Sequence, residues 1–352
     1  MVIADVIKIL APSALAFFVG IALTPPVAAF LYKHKMWKKT SVVHTLDGEK
    51  ATISGRLHND EERKTPRMGG IVVWGSVLLT IAILWILSLI FPNEITGKLN
   101  FLSRNQTWLP IFMLTAGALC GLIDDYLVCR DQGTYRGGGL SLTTRLVFVF
   151  LLALFCAWWF YAKLDMNTLH IPFWGDLYLG IFFIPLFILF TVGMYSGGII
   201  DGVDGLSGGV FASIYFAYVV IAFAGGQIDL AAYASVVVGG LLAFLWFNVP
   251  PARFFNGETG TMALSISLVV VIFLTKAVVP SLIIAFLLIL TSASSLIQIL
   301  SKKYRSGKKV FIVAPLHNHL QAKGWPPYKV TMRYWIVSVI LAVIGVIVAL
   351  VG

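Results

Sequence analysis

Ten long apolar runs constrain this chain more than any other feature. A helix needs about 20 mostly apolar residues to cross a bilayer. Runs near that length fall at roughly 7–32, 69–91, 108–128, 146–161, 177–196, 207–224, 230–247, 261–278, 280–300 and 334–351. Backbone groups facing lipid must satisfy their own hydrogen bonds, and the runs lack the alternating pattern of barrel strands. The sequence therefore predicts an all-α polytopic membrane protein with ten spanning helices. No internal repeat or low-complexity linker divides it, so residues 1–352 read as one domain. The stretch from Asp165 to Asp176 is compatible with a small hairpin.

The balance of residues agrees. Hydrophobic residues make up 59% and charged ones 12%, with a mean hydropathy of +0.89. Those values exclude a water-soluble globular enzyme, a disordered tail and a basic nucleic-acid-binding domain. Cys120, Cys129 and Cys156 are odd in number and make no metal-type pair, so no disulfide framework is expected. The first run is too long for a cleavable signal segment and contains Pro25 and Pro26.

The net charge of +10 becomes informative once it is divided between the two membrane faces. Connections at 33–68, 129–145, 197–206, 248–260 and 301–333 fall on one face by parity. They carry 21 of the 26 Lys and Arg residues. The positive-inside rule then places these loops in the cytoplasm and both termini outside. Acidic residues divide 11 to 5, which leaves the whole net charge on the cytoplasmic face.

Ionisable groups near membrane depth are costly and mark function by default. Here they gather on that same face. Asp124 and Asp125 end the third run. Two adjacent carboxylates repel unless a cation is near, and Mg²⁺ suits one or two carboxylates with substrate phosphates. Gly197 to Gly209 holds six glycines around Asp201 and Asp204. Such a loop lets backbone N–H groups approach a ligand, and its acids suit a base, a sugar or a metal better than bare phosphate. It also reads as a flexible interhelical turn. Its Gly-Leu-Ser-Gly-Gly does not read as a hydrolase elbow, which needs a strand before the serine.

Glu258, flanked by glycines, reads either as a metal ligand or as a helix N-cap neighbour. Phe255 reads either as a base-stacking ring or as a membrane-belt aromatic. His317 and His319, with Asn318 between them, suit a metal or a pyrophosphate, and no zinc set is completed. Lys64 and Thr65 lead from a basic loop into the second run, where cations meet anionic substrate or anionic lipid.

In order, these motifs resemble the phospho-N-acetylmuramoyl-pentapeptide transferase family, among the polyprenyl-phosphate N-acetylhexosamine-1-phosphate transferases. The matching pieces are Thr65-Pro-Arg-Met-Gly-Gly70, Asp124-Asp-Tyr126, Asp201-Gly-Val-Asp-Gly-Leu206, Asn248 with Gly257-Glu-Thr-Gly260, Val310-Phe-Ile-Val-Ala-Pro-Leu-His-Asn-His319, Lys323-Gly-Trp325 and Arg333-Tyr-Trp-Ile336. The block from Ala314 to His319 is the most specific.

The resemblance implies transfer of phospho-N-acetylmuramoyl-pentapeptide from its UDP-activated form to undecaprenyl phosphate. Lipid I and UMP are the products, Mg²⁺ is the cofactor, and the setting is peptidoglycan biosynthesis at the bacterial inner membrane. It implies catalytic roles for Asp124, Asp125 and Glu258, with metal at Glu258 and Asp124. Asp201, Asp204 and Asn248 would face the nucleotide, and Phe255 would stack on uracil. Lys64, Thr65, His317, Asn318 and His319 would complete the substrate contacts, and a homodimer is a further expectation.

Departures from the family pattern are also visible. Glu258 stands where the family has Asp, and Asn318 breaks a histidine triplet. Val128 and Arg145 stand for lysines, and Gly198 stands for an asparagine. Two other readings remain: a sister transferase taking UDP-N-acetylglucosamine, and a secondary transporter. A transporter would place its binding groups near the midplane.

Overall fold

Hydrophobic length becomes helix throughout the chain. The computed structural model describes residues 2–38, 64–133 and 138–352. Most of the expected loop 33–68 and the centre of 129–145 lie outside the described residues. The elements run α1 (Val2–Lys33), α2 (Gly70–Ile90), α3 (Glu94–Leu99), α4 (Trp108–Arg130) and α5 (Leu142–Lys163). A hairpin follows, β1 (Thr168–Ile171) and β2 (Gly175–Tyr178), then α6 (Phe183–Ser196) and α7 (Leu206–Ala224). The rest comprises α8 (Ile228–Asn248), α9 (Gly257–Leu274), α10 (Val278–Ile284), α11 (Phe286–Tyr304), α12 (Leu316–Ala322) and α13 (Pro327–Val351). Single 3₁₀ turns lie at Gly180–Phe182 and Gly197–Ile200.

Among the described residues, ten helices are long and apolar enough to cross a membrane. The count matches the ten runs, and several limits move. The short fourth run extends to Leu142–Lys163, started by Ser141, whose Oγ accepts from Thr144 N at 3.0 Å. The ninth run breaks at Ala285, leaving α10 as a short separate helix ahead of α11. The eighth begins at Gly257 rather than near 261. The small hairpin is present, with Thr168 opposite Tyr178.

Burial sorts the helices into a centre and a rim. In α9, 94% of the apolar stretch is inside the protein, against 22% for both α1 and α13. α9 packs most extensively on α4, and α8 on α1 and α7. In lipid, helices associate through close packing rather than hydrophobic expulsion, which favours small residues at their contacts. Gly117 and Gly121 supply that surface on α4. A Cβ at Gly117 would lie 3.0 Å from Ala263 Cα, and one at Gly121 would lie 2.6 Å from Thr259 Cα. The close approach at Gly121 brings the last turns of α4 against the first turn of α9, where the acidic residues meet.

Candidate active site

The first turn of α9 organises the site. A helix leaves its first N–H groups without partners inside the helix, and its N-terminus favours negative charge. Asn256, at the N-cap, makes no side-chain cap. Two carboxylates from other elements do this instead. Gly257 N donates to Asp201 Oδ2 at 2.8 Å, and Thr259 N donates to Asp125 Oδ2 at 2.9 Å. Gly257 sits at φ +73° with no room for a side chain, because a Cβ there would run into the Asp125 carboxylate. Arg67, from the segment before α2, closes the group with Nε 3.0 Å from Asp125 Oδ1. Asp125 is fully buried, so this guanidinium and the helix N-terminus together stabilise its charge.

A second cluster adjoins the first. Arg145, in the first turn of α5, places one terminal nitrogen 3.0 Å from Glu258 Oε1 and 3.7 Å from Asp124 Oδ2. Tyr195 O–H, at the end of α6, donates to the same Glu258 oxygen at 2.6 Å. Thr261 Oγ1 lies 3.3 Å from Glu258 Oε2. Leu140 N donates to Asp124 Oδ1 at 2.7 Å. Asp124, Asp125 and Glu258 thus meet from α4 and α9, and Glu258, which the sequence puts in a loop, lies in the first turn of α9. Asp124 and Asp125 sit inside α4, before its end at Arg130.

The glycine-rich segment between α6 and α7 is tied down on several sides. Asp201 Oδ1 accepts from Ser207 Oγ at 2.7 Å. Asp204 Oδ2 accepts from Ala252 N at 2.9 Å. Asn248 donates to Phe254 O at 2.7 Å and accepts from Gly205 N at 2.9 Å, so its buried amide joins the two loops. From α13, Thr331 Oγ1 donates to Asp204 O at 2.8 Å, and Trp335 Nε1–H donates to Gly205 O at 3.0 Å. Phe255 is half-buried, whereas its neighbour Phe254 is buried against Phe244 and Phe247.

His317 is buried at the same loop: a Cβ on Gly202 would lie 2.6 Å from its Nε2. Asn318 is also buried, and its Oδ1 meets no donor among the described residues. His319 turns elsewhere, with Nδ1 accepting from Ile312 N at 3.2 Å beside the Phe311 ring. Thr65 is half-buried and Lys64 exposed, at the edge of the described segment.

Site reasoning from the sequence singled out the acids and missed what holds them. Arg67 was visible inside the Thr65–Gly70 motif, and Arg145 as a departure from the family pattern. Tyr195 and Ser207 carried no signal, since each sits in an ordinary apolar or glycine-rich stretch. Burial pushes the Asp201 carboxyl above its usual range, and this outweighs the bonds from Ser207 and Gly257 N and the nearby Arg67. For Arg67, burial alone would weaken proton binding. Asp125 overrides that, with a contribution from Asp201, and holds the guanidinium above its ordinary value.

Among the described residues, no group of three or more His, Cys, Asp or Glu side chains forms a self-sufficient metal cage. Magnesium does not require one, because it binds through one or two carboxylates together with phosphates and water. Asp124 and Glu258 offer hard oxygen donors of that kind from facing helices, so the donor chemistry fits.

Fold and site together define a polytopic membrane protein with a buried carboxylate–guanidinium centre at one end of its bundle. The family model for glycosyl transferase family 4 matches residues 107–276, a span that contains Asp124, Asp125, Asp201, Asp204, Asn248 and Glu258 and stops before His317. The phospho-N-acetylmuramoyl-pentapeptide-transferase of Anoxybacillus flavithermus is 31% identical over 341 residues, covering 96% of this chain and 97% of the relative. That of Listeria monocytogenes is 30% identical over 344 residues, covering 96% and 97%. That of a Geobacillus species is 30% identical over 335 residues, covering 94% and 95%. This chain belongs to the phospho-N-acetylmuramoyl-pentapeptide-transferase family.

Proposed function

We propose that this chain transfers phospho-N-acetylmuramoyl-pentapeptide from its UDP-activated form to undecaprenyl phosphate in peptidoglycan synthesis, yielding lipid I and UMP. The observation that carries this reading is the meeting of Asp124, Asp125 and Glu258 with Arg67 and Arg145 at one end of the bundle. Phosphoryl transfer between two anions needs alignment and charge neutralisation more than an unusual nucleophile. A site at the membrane mouth lets a lipid-borne phosphate meet a soluble nucleotide without either crossing the bilayer.

Asp124 and Glu258 are the residues that would hold Mg²⁺. When bound, the ion would supply Lewis-acid stabilisation of negative charge on the phosphates. The remaining work falls to the protein. One carboxylate of the Asp124–Asp125 pair positions the lipid phosphate and takes its proton. Half-buried Arg145 and the basic loops draw both anions to the same face. The loop carrying Asp201 and Asp204 receives the nucleoside, with Phe255, His317 and Asn318 beside it. Lys64, Thr65 and His319 contribute from the rim. Both termini lie outside the bacterial inner membrane, the site faces the cytoplasm, and a homodimer belongs to the same proposal.

The test is UMP release by purified full-length protein given UDP-N-acetylmuramoyl-pentapeptide and undecaprenyl phosphate, with and without Mg²⁺. Metal-dependent release is expected. Asp124→Asn and Glu258→Gln should each lower the rate about a hundredfold or more, the scale of losing a positioned acid or base. A folded protein that releases no UMP overturns the reading, and near-wild-type rates in both variants overturn the site assignment.

A further inference from the structure

Arg145 is shared between carboxylates on two different helices, and its guanidinium is only partly used. Its terminal nitrogen lies 3.0 Å from Glu258 and 3.7 Å from Asp124. Its Nε–H is buried and meets no acceptor among the described residues. A buried donor left unmatched is unfavourable, and such a group in a native protein calls for an explanation, a catalytic role among them. The guanidinium fork fits phosphate oxygens in pairs.

Both carboxylates have a second holder. Leu140 N keeps Asp124 in place, and Tyr195 O–H keeps Glu258 in place. The pair therefore stays aligned whether or not Arg145 is bound to it. An arginine cannot leave a carboxylate by losing its proton, as a lysine can, so it releases only by moving. While it stays, its positive charge opposes any other cation at the same oxygens.

We propose that Arg145 is an exchangeable counter-ion of the Asp124–Glu258 pair. It neutralises the two acids in the resting protein, yields them to a divalent cation, and carries its freed guanidinium to the phosphates of an incoming nucleotide diphosphate. The inference rests on the transferase reading above. Arg67 does not share this role: it is committed to fully buried Asp125.

The experiment is Mn²⁺ titration of the full-length protein in lipid nanodiscs, followed by the electron paramagnetic resonance signal of free Mn²⁺. Arg145→Met keeps much of the apolar stem and removes the charge. Its Mn²⁺ affinity should rise at least about tenfold over wild type, because a unit charge within about 4 Å is strongly felt at a partly buried site. Arg145→Gln keeps a donor toward Glu258, guards against loss of fold, and carries the same expectation. Adding Glu258→Gln to either variant should abolish the gain. Unchanged or weaker Mn²⁺ binding in the folded variants overturns the exchange, as does a lack of saturable binding in all of them. Wild-type UMP release, measured separately, decides the transferase reading. A wild type that releases UMP while its variants bind Mn²⁺ no more tightly than it does would overturn the exchange alone.

Discussion

Asp201 is half-buried at the junction of three elements, and its carboxylate is needed there as an acceptor for Gly257 N and Ser207 Oγ. Burial opposes its ionisation more strongly than those bonds and Arg67 favour it, so its folded pKa lies above the unfolded value. The folded state then binds this proton more tightly than the unfolded state. Stability falls as pH climbs from the ordinary carboxylate value through the raised one, and is level below that interval. Asp201→Asn removes the ionisation and keeps an acceptor oxygen. The apparent Tm of wild type should therefore drop relative to Asp201→Asn as the pH rises from the carboxylate range toward neutrality. Thermal scans in detergent across that range check this, and two parallel curves would refute it. Asn248 teaches the complementary lesson. The resemblance implies that it faces the nucleotide, and in the fold both ends of its amide join two loops.

At the scale of elements, the site depends on how closely α4 approaches α9. Gly121 faces the backbone of Glu258 and Thr259, so any side chain there pushes the helices apart. Gly121→Ala should destabilise the protein by about 1–3 kcal/mol, the usual consequence of overpacking a tight contact. UMP release should fall as well, because Asp124 and Asp125 would retreat from Glu258. Gly97 of α3 has open space around it and provides the control: Gly97→Ala should leave both properties unchanged. Thermal stability and rate measured on the two variants decide the matter.

Helix existence was legible in the sequence because crossing a bilayer demands apolar length, a local property. The start of α9 was not. Gly257-Glu-Thr-Gly-Thr261 reads as loop, and it becomes helix because Asp125 and Asp201, distant in the chain, satisfy its first N–H groups. The break at Ala285 was equally hidden, since apolar residues continue on both sides. For the same reason the acids of the site could be named from sequence, while Tyr195, which donates to Glu258 across 63 positions, could not.

For the whole molecule, charge and architecture make one joint prediction about orientation. The basic residues in the last turn of α11 and just after it, Lys303, Arg305, Lys308 and Lys309, are exposed at the same end of the bundle as the acidic centre. The β1–β2 hairpin connects α5 to α6 at the opposite end, and its turn carries Trp174, 90% exposed. Positive loops resist translocation, so the end with Lys308 should remain in the cytoplasm and the hairpin should lie outside. The native cysteines suit a labelling test, because Cys120, Cys129 and Cys156 are all buried and should react slowly with a charged maleimide. In intact cells stripped of their outer barrier, Trp174→Cys should label with a membrane-impermeant maleimide at once. Lys308→Cys should label only after the membrane is opened. The reverse pattern would put the acidic centre outside, where no cytoplasmic sugar nucleotide can reach it, and would overturn the proposed function together with the orientation. Labelling of both sites in intact cells would show a leaky preparation or a mixed population. Quantifying an unrelated cytoplasmic cysteine protein in the same sample separates those two cases, and a mixed population would also count against the orientation.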